Sequence, residues 1–307
     1  ATLAAGIDRF NVPMYNGFDG LDITESGPFR NKLIENATQT THYAYYSILK
    51  ALNSVSDPER IEMNVLAIPG ITNSSITNQM IATAEARADT LAIIDLPDAY
   101  TPRHESTTFG LGTGNTNGFG QSNLTNVLTT FSQRNLNTSY ACTYYPWVKI
   151  TDTINNSTLW VPPSIVALGV FSNTDNKAEP WFAPAGFTRG GLSEGAAGLP
   201  VVQVSEQLTS KQRDKLYEVN INPIAQFPAE GIVVFGQKTL QVTRSALDRI
   251  NVRRLMIYIK KEVSRVAARL LFSPNVEATW NLFLGQVNPL MDSIKARFGL
   301  EEYKVVL

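Results

Sequence analysis

Apolar positions along the chain switch repeatedly between helical spacing and short continuous runs. From Asn36, a residue suited to capping a helix, the pattern reaches Tyr45, Ile48, Leu49 and Leu52 and stops at Asp57-Pro58. Residues 63–68 then read as a short buried strand closed by Pro69-Gly70. Residues 73–88 carry Ile76, Met80, Ile81 and Ala84 at helical spacing and run directly into a second compact strand at 90–94. Two strands separated by a helix predict a βαβ unit, and hence a parallel sheet with helices on its faces. A helix around 122–134 precedes a third strand expected over 140–150.

Pro162-Pro163 opens another helix through Ile165, Val166, Leu168 and Phe171, since proline is tolerated in a first turn. Proline and glycine interrupt residues 180–198. A strand at 201–204, a small helix at 210–218 and a paired β element at 221–227 and 232–235, joined by Pro-Ala-Glu-Gly, follow. The clearest amphipathic helix begins near Val252, its apolar stripe running through Leu255, Met256, Ile259, Val263, Val266 and Leu270. A second helical series from Val276 to Phe298 is expected to bend at Pro289. Residues 303–307 read as a strand whose sheet partner or following domain is missing. Residues 1–30, with Gly17, Gly20, Gly27, Pro13 and Pro28, read as a connector. Residues 31–307 read as a layered α/β domain: a mixed, partly parallel sheet flanked by helices, plus irregular loop-rich elements.

Composition agrees with a folded, loop-rich chain. Of 307 residues, 43% are hydrophobic and 17% charged, enough to bury roughly three quarters of the extended-chain surface without metal or disulfide staples. Cys142 is the only cysteine, so no intrachain disulfide forms, which argues against a small secreted scaffold. No run reaches the length of a membrane-spanning helix. The first residue is Ala1 and no secretion signal follows, so the sequence reads as a processed or excised fragment. The net charge of −1 disfavours a protein that wraps nucleic acid. Its distribution is uneven: residues 1–120 hold 7 basic and 13 acidic side chains, residues 244–307 hold 11 and 6. Either the two ends meet across copies, head to tail, or the fold lays them side by side.

Candidate chemistry is sparse. His42 and His104 make no metal-ligand pattern with Cys142 and read as surface or capping residues. The glycines of 109–120 lack the spacing of a nucleotide-binding turn and read as an exposed or assembly-ordered loop. Asp95 and Asp98 lie at a probable strand end, where two carboxylates can divide acid and base roles, but turn stabilisation is the simpler reading. No serine or cysteine nucleophile motif is present, and no cofactor is expected. The strongest feature is basic: Arg253, Arg254, Lys260, Lys261, Arg265 and Arg269 on the long helix. Such a face is simply solvated, meets an acidic protein surface or contacts nucleic acid; it lacks the aromatic platform of single-strand binders.

Several phrases, in order, resemble contractile phage tail sheath proteins. They are Gly17-Phe18-Asp19-Gly20, residues 64–70 (NVLAIPG), 139–150 (SYACTYYPWVKI), 161–176 (VPPSIVALGVFSNTDN), 181–186 (WFAPAG), 221–240 and 250–275. The likeness covers most of residues 17–298; Lys177-Ala178-Glu179-Pro180 departs from the more basic, glycine-containing approach of relatives. The resemblance implies a structural subunit rather than an enzyme, forming hexameric rings stacked helically around a tail tube, with residues 31–307 as the sheath core and its C-terminal continuation missing. It further implies baseplate and tail-terminator partners, a place in the virion tail after assembly in host cytoplasm, and no direct nucleic-acid or membrane binding. The six basic helix residues are the expected intersubunit contacts. A noncontractile adaptor and an enzyme with an unrecognised site are the competing readings.

Overall fold

The computed structural model describes residues 43–97, 99–100, 123–193, 198 and 200–306. The Asn36 cap, the connector over 1–30, both histidines, Asp98 and the glycine-rich 109–120 loop lie outside the described residues. In chain order the elements begin with α1 (Tyr43–Ser54), β1 (Val65–Ala67), α2 (Ser74–Arg87), β2 (Leu91–Ile94), α3 (Leu124–Gln133) and β3 (Ala141–Tyr145). There follow β4 (Val148–Asp152), β5 (Ser157–Val161), α4 (Pro163–Lys177), the short α5 (Gly186–Arg189), β6 (Val201–Val204) and α6 (Ser210–Glu218). The last are β7 (Asn222–Phe227), β8 (Gly231–Val234), α7 (Ile250–Arg269) and α8 (Glu277–Ala296).

The expected mixed sheet is present, in the order β1-β2-β3-β7-β8. The first four strands run parallel and β8 returns antiparallel to β7. Alternation along β2 and β3 sends side chains to two cores. Ala92, Ile94, Ala141 and Tyr145 join Ile48, Leu52, Ile76, Met80, Phe131 and Leu216 from α1, α2, α3 and α6. Leu91, Ile93, Cys142 and Tyr144 join Val166, Val170 and Phe171 of α4 and Ile250 and Ile257 of α7. A sheet covered on both faces is what a run of wholly apolar strands requires. Asn73 caps α2 by accepting from the Ile76 amide, as its type predicts.

Two expectations change. The strand read over 140–150 is two strands in different sheets, because Pro146 offers no amide to a ladder and the chain turns there. β4 instead centres a second, antiparallel sheet, β5-β4-β6, whose Val148, Ile150, Val161, Val201 and Val204 pack into the same core as Ile93. Residues 303–306 are not a strand; the Tyr303 hydroxyl donates to Asp292 of α8 at 2.7 Å, drawing the segment onto that helix. α8 itself runs through Pro289 as one continuous element.

β7 carries Pro223 inside the central sheet, where a missing amide interrupts pairing. Asn222 bridges the interruption: its Nδ2 donates to the carbonyls of Thr143 and Lys238 at 3.0 and 2.8 Å, and its Oδ1 accepts from the Lys238 amide at 2.6 Å. Gly190 lies against the outer edge of β8, where an added Cβ would fall 2.8 Å from the Val234 carbonyl oxygen. The Gly190 carbonyl accepts the Val234 amide at 2.8 Å and the Leu192 amide donates to Ile232 at 2.8 Å, so that edge is already paired.

Ile93, wholly buried, and Ile154, 91% exposed, give a direct test of this layering. Ile93→Ala is expected to lower the urea-unfolding free energy by about 2–5 kcal/mol, and Ile154→Ala by less than about 0.5. Equal effects would contradict the two-core arrangement.

Candidate intersubunit surface

The long helix α7 starts at Ile250, preceded by Arg249 in extended conformation, and its polar and apolar residues divide by depth. Its first two turns enter the core. Ile250, Leu255 and Ile257 are buried, and Arg253 and Arg254 with them, at 7% exposure each. Burying a guanidinium demands partners for its charge and donors. Arg253 donates to the Ser139 hydroxyl and lies 4.0 Å from the centre of the Tyr140 ring; burial lowers its pKa. Arg254 grips the Asp175 carboxylate of α4 through one nitrogen at 2.6 and 2.5 Å, above the Phe171 ring. Both side chains are thus turned into the chain, Arg254 in an ion pair and Arg253 on neutral groups alone, and Arg253 Nε and Arg254 Nη1 are buried without a hydrogen-bond partner among the described residues.

The middle turns reach the rim of the sheet. Lys260 donates to the Arg87 carbonyl at 3.1 Å, and this carbonyl belongs to the last residue of α2, the negative end of that helix. Lys261 donates to the Met63 carbonyl at 2.6 Å and to the Asn64 side chain; partial desolvation lowers its pKa. Behind them Arg87 is a buried hub, paired with Asp89 at 2.9 Å and donating to the Val55 and Ile61 carbonyls at 2.7 and 2.8 Å. The outer turns are exposed. Arg265 pairs with Glu262 at 2.5 Å and with Glu62, while Arg269 has no hydrogen bond or ion pair among the described residues. Within the chain, the basic helix meets the N-terminal half at residues 62–64, with Arg265 paired to Glu62.

Helix α8 returns along α7. Their shared base is a small core of Trp181, Leu255 and Ile294, edged by Tyr258, Leu290 and Met291. Trp181 fixes it by donating its indole N–H to the Arg297 carbonyl at 2.9 Å, while its own carbonyl accepts from Asn251. Arg297 pairs with Glu179 at 2.6 Å. The resulting hairpin projects from the body, and its far turn carries exposed Leu271, Phe272, Val276 and Trp280. Sequence reasoning missed these apolar side chains as surface residues. The available signal was a run of bulky apolar residues where a helix commonly stops at glycine.

The other candidates are structural in their surroundings. Asp95 is buried at the end of β2, accepting from the Gly70 amide at 2.8 Å and from the Ser164 hydroxyl and amide at 2.7 and 3.3 Å. It thereby joins the turn after β1 to the first turn of α4. Desolvation outweighs these bonds and raises its pKa to about 6. Cys142 is buried in β3, and burial pushes its thiol up to about 12, leaving it protonated and unreactive at neutral pH. Among the described residues no group of three or more His, Cys, Asp or Glu side chains could hold a metal ion, and no helix is long and apolar enough to cross a membrane.

The chain resembles contractile-system sheath proteins in sequence and in fold. The tail sheath protein of Vibrio phage KVP40 is 30% identical over 266 residues, 83% of this chain and 38% of that protein. That of Enterobacteria phage T4 is 34% identical over 155 residues, 50% of this chain and 23% of that protein. The chain thus spans about two fifths of the KVP40 protein's length. No family model matches. Among solved structures, the contracted sheath complex of the extracellular contractile injection system PVC aligns with a TM-score of 0.61 at 22% identity, over 83% of this chain and 62% of that one. The contracted helical sheath of the anti-feeding prophage aligns with a TM-score of 0.57 at 21% identity, over 88% and 62%. At these identities the structures establish a shared fold.

Arg254→Ala, which removes a buried side chain packed on Phe171 and its ion pair to solvent-exposed Asp175, is expected to cost about 1–3 kcal/mol in chemical denaturation; Arg269→Ala should lie within about 0.5. For Asp95 the fold favours the protonated form, so its contribution is complete below pH 3.8 and lost as pH rises through about 6. The stability of the native protein relative to Asp95→Asn should accordingly fall across that window, by on the order of 3 kcal/mol, then level off. A difference that does not vary with pH would refute the desolvation argument.

Proposed function

We propose that this chain is the inner body of a contractile tail sheath subunit, forming hexameric rings stacked helically around a tail tube in the virion. The carrying observation is the 30% identity spread over 83% of the chain to a phage tail sheath protein. In this reading the subunit is synthesised and assembled in the host cytoplasm. Its partners are further sheath subunits, the tube, a baseplate and a tail terminator. Its work is mechanical: the long sheath rearranges to a shorter, wider one and drives the tube toward the host envelope. No catalytic step or cofactor is required, because directed motion needs only a free-energy difference between the two assemblies.

The division of α7 supports a particular allocation of the basic residues. Arg253 and Arg254 set the angle of the helix from inside, Lys260 and Lys261 tether it to the rim, and Arg265 and Arg269 are the members best placed to meet an acidic neighbour. Arg265 holds only exposed ion pairs, each worth about 0–1 kcal/mol, so exchanging them for intersubunit pairs costs little.

Electron microscopy of the full-length protein with tail tubes, before and after triggering, tests the assignment. Stacked rings that shorten on triggering are expected; tubes that remain bare under assembly conditions would reject it. Arg265→Ala combined with Arg269→Ala should leave chemical unfolding within about 0.5 kcal/mol of the native protein while weakening ring formation about tenfold. Undiminished assembly and contraction would remove these side chains from the interface.

A further inference from the structure

Both helices of the hairpin end on a phenylalanine in left-handed conformation: Phe272 has φ +68° and Phe298 φ +62°. Glycine ordinarily takes such positions, because a side chain there crowds its own backbone. Phe272 is also 98% exposed. The free chain thus bears backbone strain and a hydrated aromatic ring at one residue, and gains no burial from it. Leu271, Val276 and Trp280 extend the apolar turn, and exposed Arg269 and Glu277 flank it.

A second aromatic surface lies on different elements. Phe187 of α5, Phe227 of β7 and Phe235 after β8 form a triangle with ring centres 5.1 to 5.8 Å apart. Arg213 of α6 stacks over Phe227 and Phe235 at 5.2 and 5.8 Å. Phe187 is 50% and Phe235 41% exposed, and Glu230 projects from the neighbouring β7–β8 turn. Aromatic rings beside a stacked arginine are the composition of an interface centre. Exposed Arg269 and Glu277 border the first surface and Arg213 and Glu230 the second, so Glu277 can meet Arg213 while Arg269 meets Glu230.

We propose that the α7–α8 turn of one copy docks through Phe272 onto the Phe187–Phe227–Phe235 surface of a second copy. This deepens the sheath reading and rests on it. Two different surfaces of one chain make a head-to-tail contact, which propagates into rings or helical stacks, whereas a turn-to-turn contact closes at two copies. Helix α7 spans about 30 Å, which carries the turn clear of its own body.

The test uses the full-length protein with a photoreactive benzoylphenylalanine in place of Phe272, irradiated in assembled sheath and mapped by mass spectrometry. Crosslinks between copies, landing within residues 183–190 or 226–235, are expected; a formed sheath whose crosslinks land on the tube or on other sheath segments overturns the docking alone. If the native protein forms no sheath by electron microscopy, the sheath reading falls and this contact falls with it. Phe272→Gly separates folding from docking: the isolated protein should resist urea at least as well as the native one, while assembly weakens about tenfold. Normal assembly of Phe272→Gly overturns the proposal. Glu277→Arg and Arg213→Glu should each weaken assembly, and the two together restore it to within about threefold of native; failure of the pair to restore assembly overturns the charge register.

Discussion

Burial of the central sheet on both faces is the constraint from which the rest of the architecture follows. Leu91 and Ile93 point one way, Ala92 and Ile94 the other, and neither set tolerates water. Helices α1, α2, α3 and α6 cover one face; α4, α7 and the second sheet cover the other. The strands of the central sheet have three to six residues, spanning at most about 20 Å, whereas α7 has 20 residues and about 30 Å. A helix longer than the layer it covers must leave the core at one end. The hairpin is that surplus length, returned along itself by α8 and closed at its base by Trp181.

Position along α7 determines what each basic side chain does. A guanidinium inside the protein needs a carboxylate, a hydroxyl or an aromatic face, and Arg253 and Arg254 find these on two separate elements, the 139–140 segment and α4. The contacts pin the helix in rotation as well as depth. Lys260 and Lys261, with flexible stems and point charges, suit the irregular carbonyls at the sheet margin better than a planar fork would. One stripe of like charges therefore contains an anchor, a tether and an outward-facing end.

Much of this was readable from residues alone. The helix over 73–88, the βαβ succession, the Pro162-Pro163 helix start and the hairpin around Gly231 all announce themselves through local chemistry. Where sequence reading failed, the determinant was nonlocal. The apolar run over 140–150 looks continuous because both of its halves are buried, but in two different sheets. Strand β5 went unread because Ser157, Thr158 and Leu159 are exposed and its existence depends on pairing with β4. The six basic residues carry the same charge, and the division of the four arginines into buried and exposed members is set by whether Ser139, Asp175 or solvent lies opposite. Phe272 shows the reverse case: its type and its position conflict locally, and such a conflict is informative about function.

The energetic contrast between the body and the hairpin bears on how a subunit of this shape can change neighbours. Disturbing a core residue costs about 2–5 kcal/mol, while each exposed ion pair contributes about 0–1. Contacts made by the outer turns can therefore be exchanged at a cost well below that of loosening the fold. The outer edge of β8 is already paired with residues 190–192, which closes that edge to further strands. In the proposed sheath, rearrangement then proceeds by rigid bodies trading marginal contacts. Small differences per subunit, summed over many copies, supply the directed free-energy change that the assembly needs.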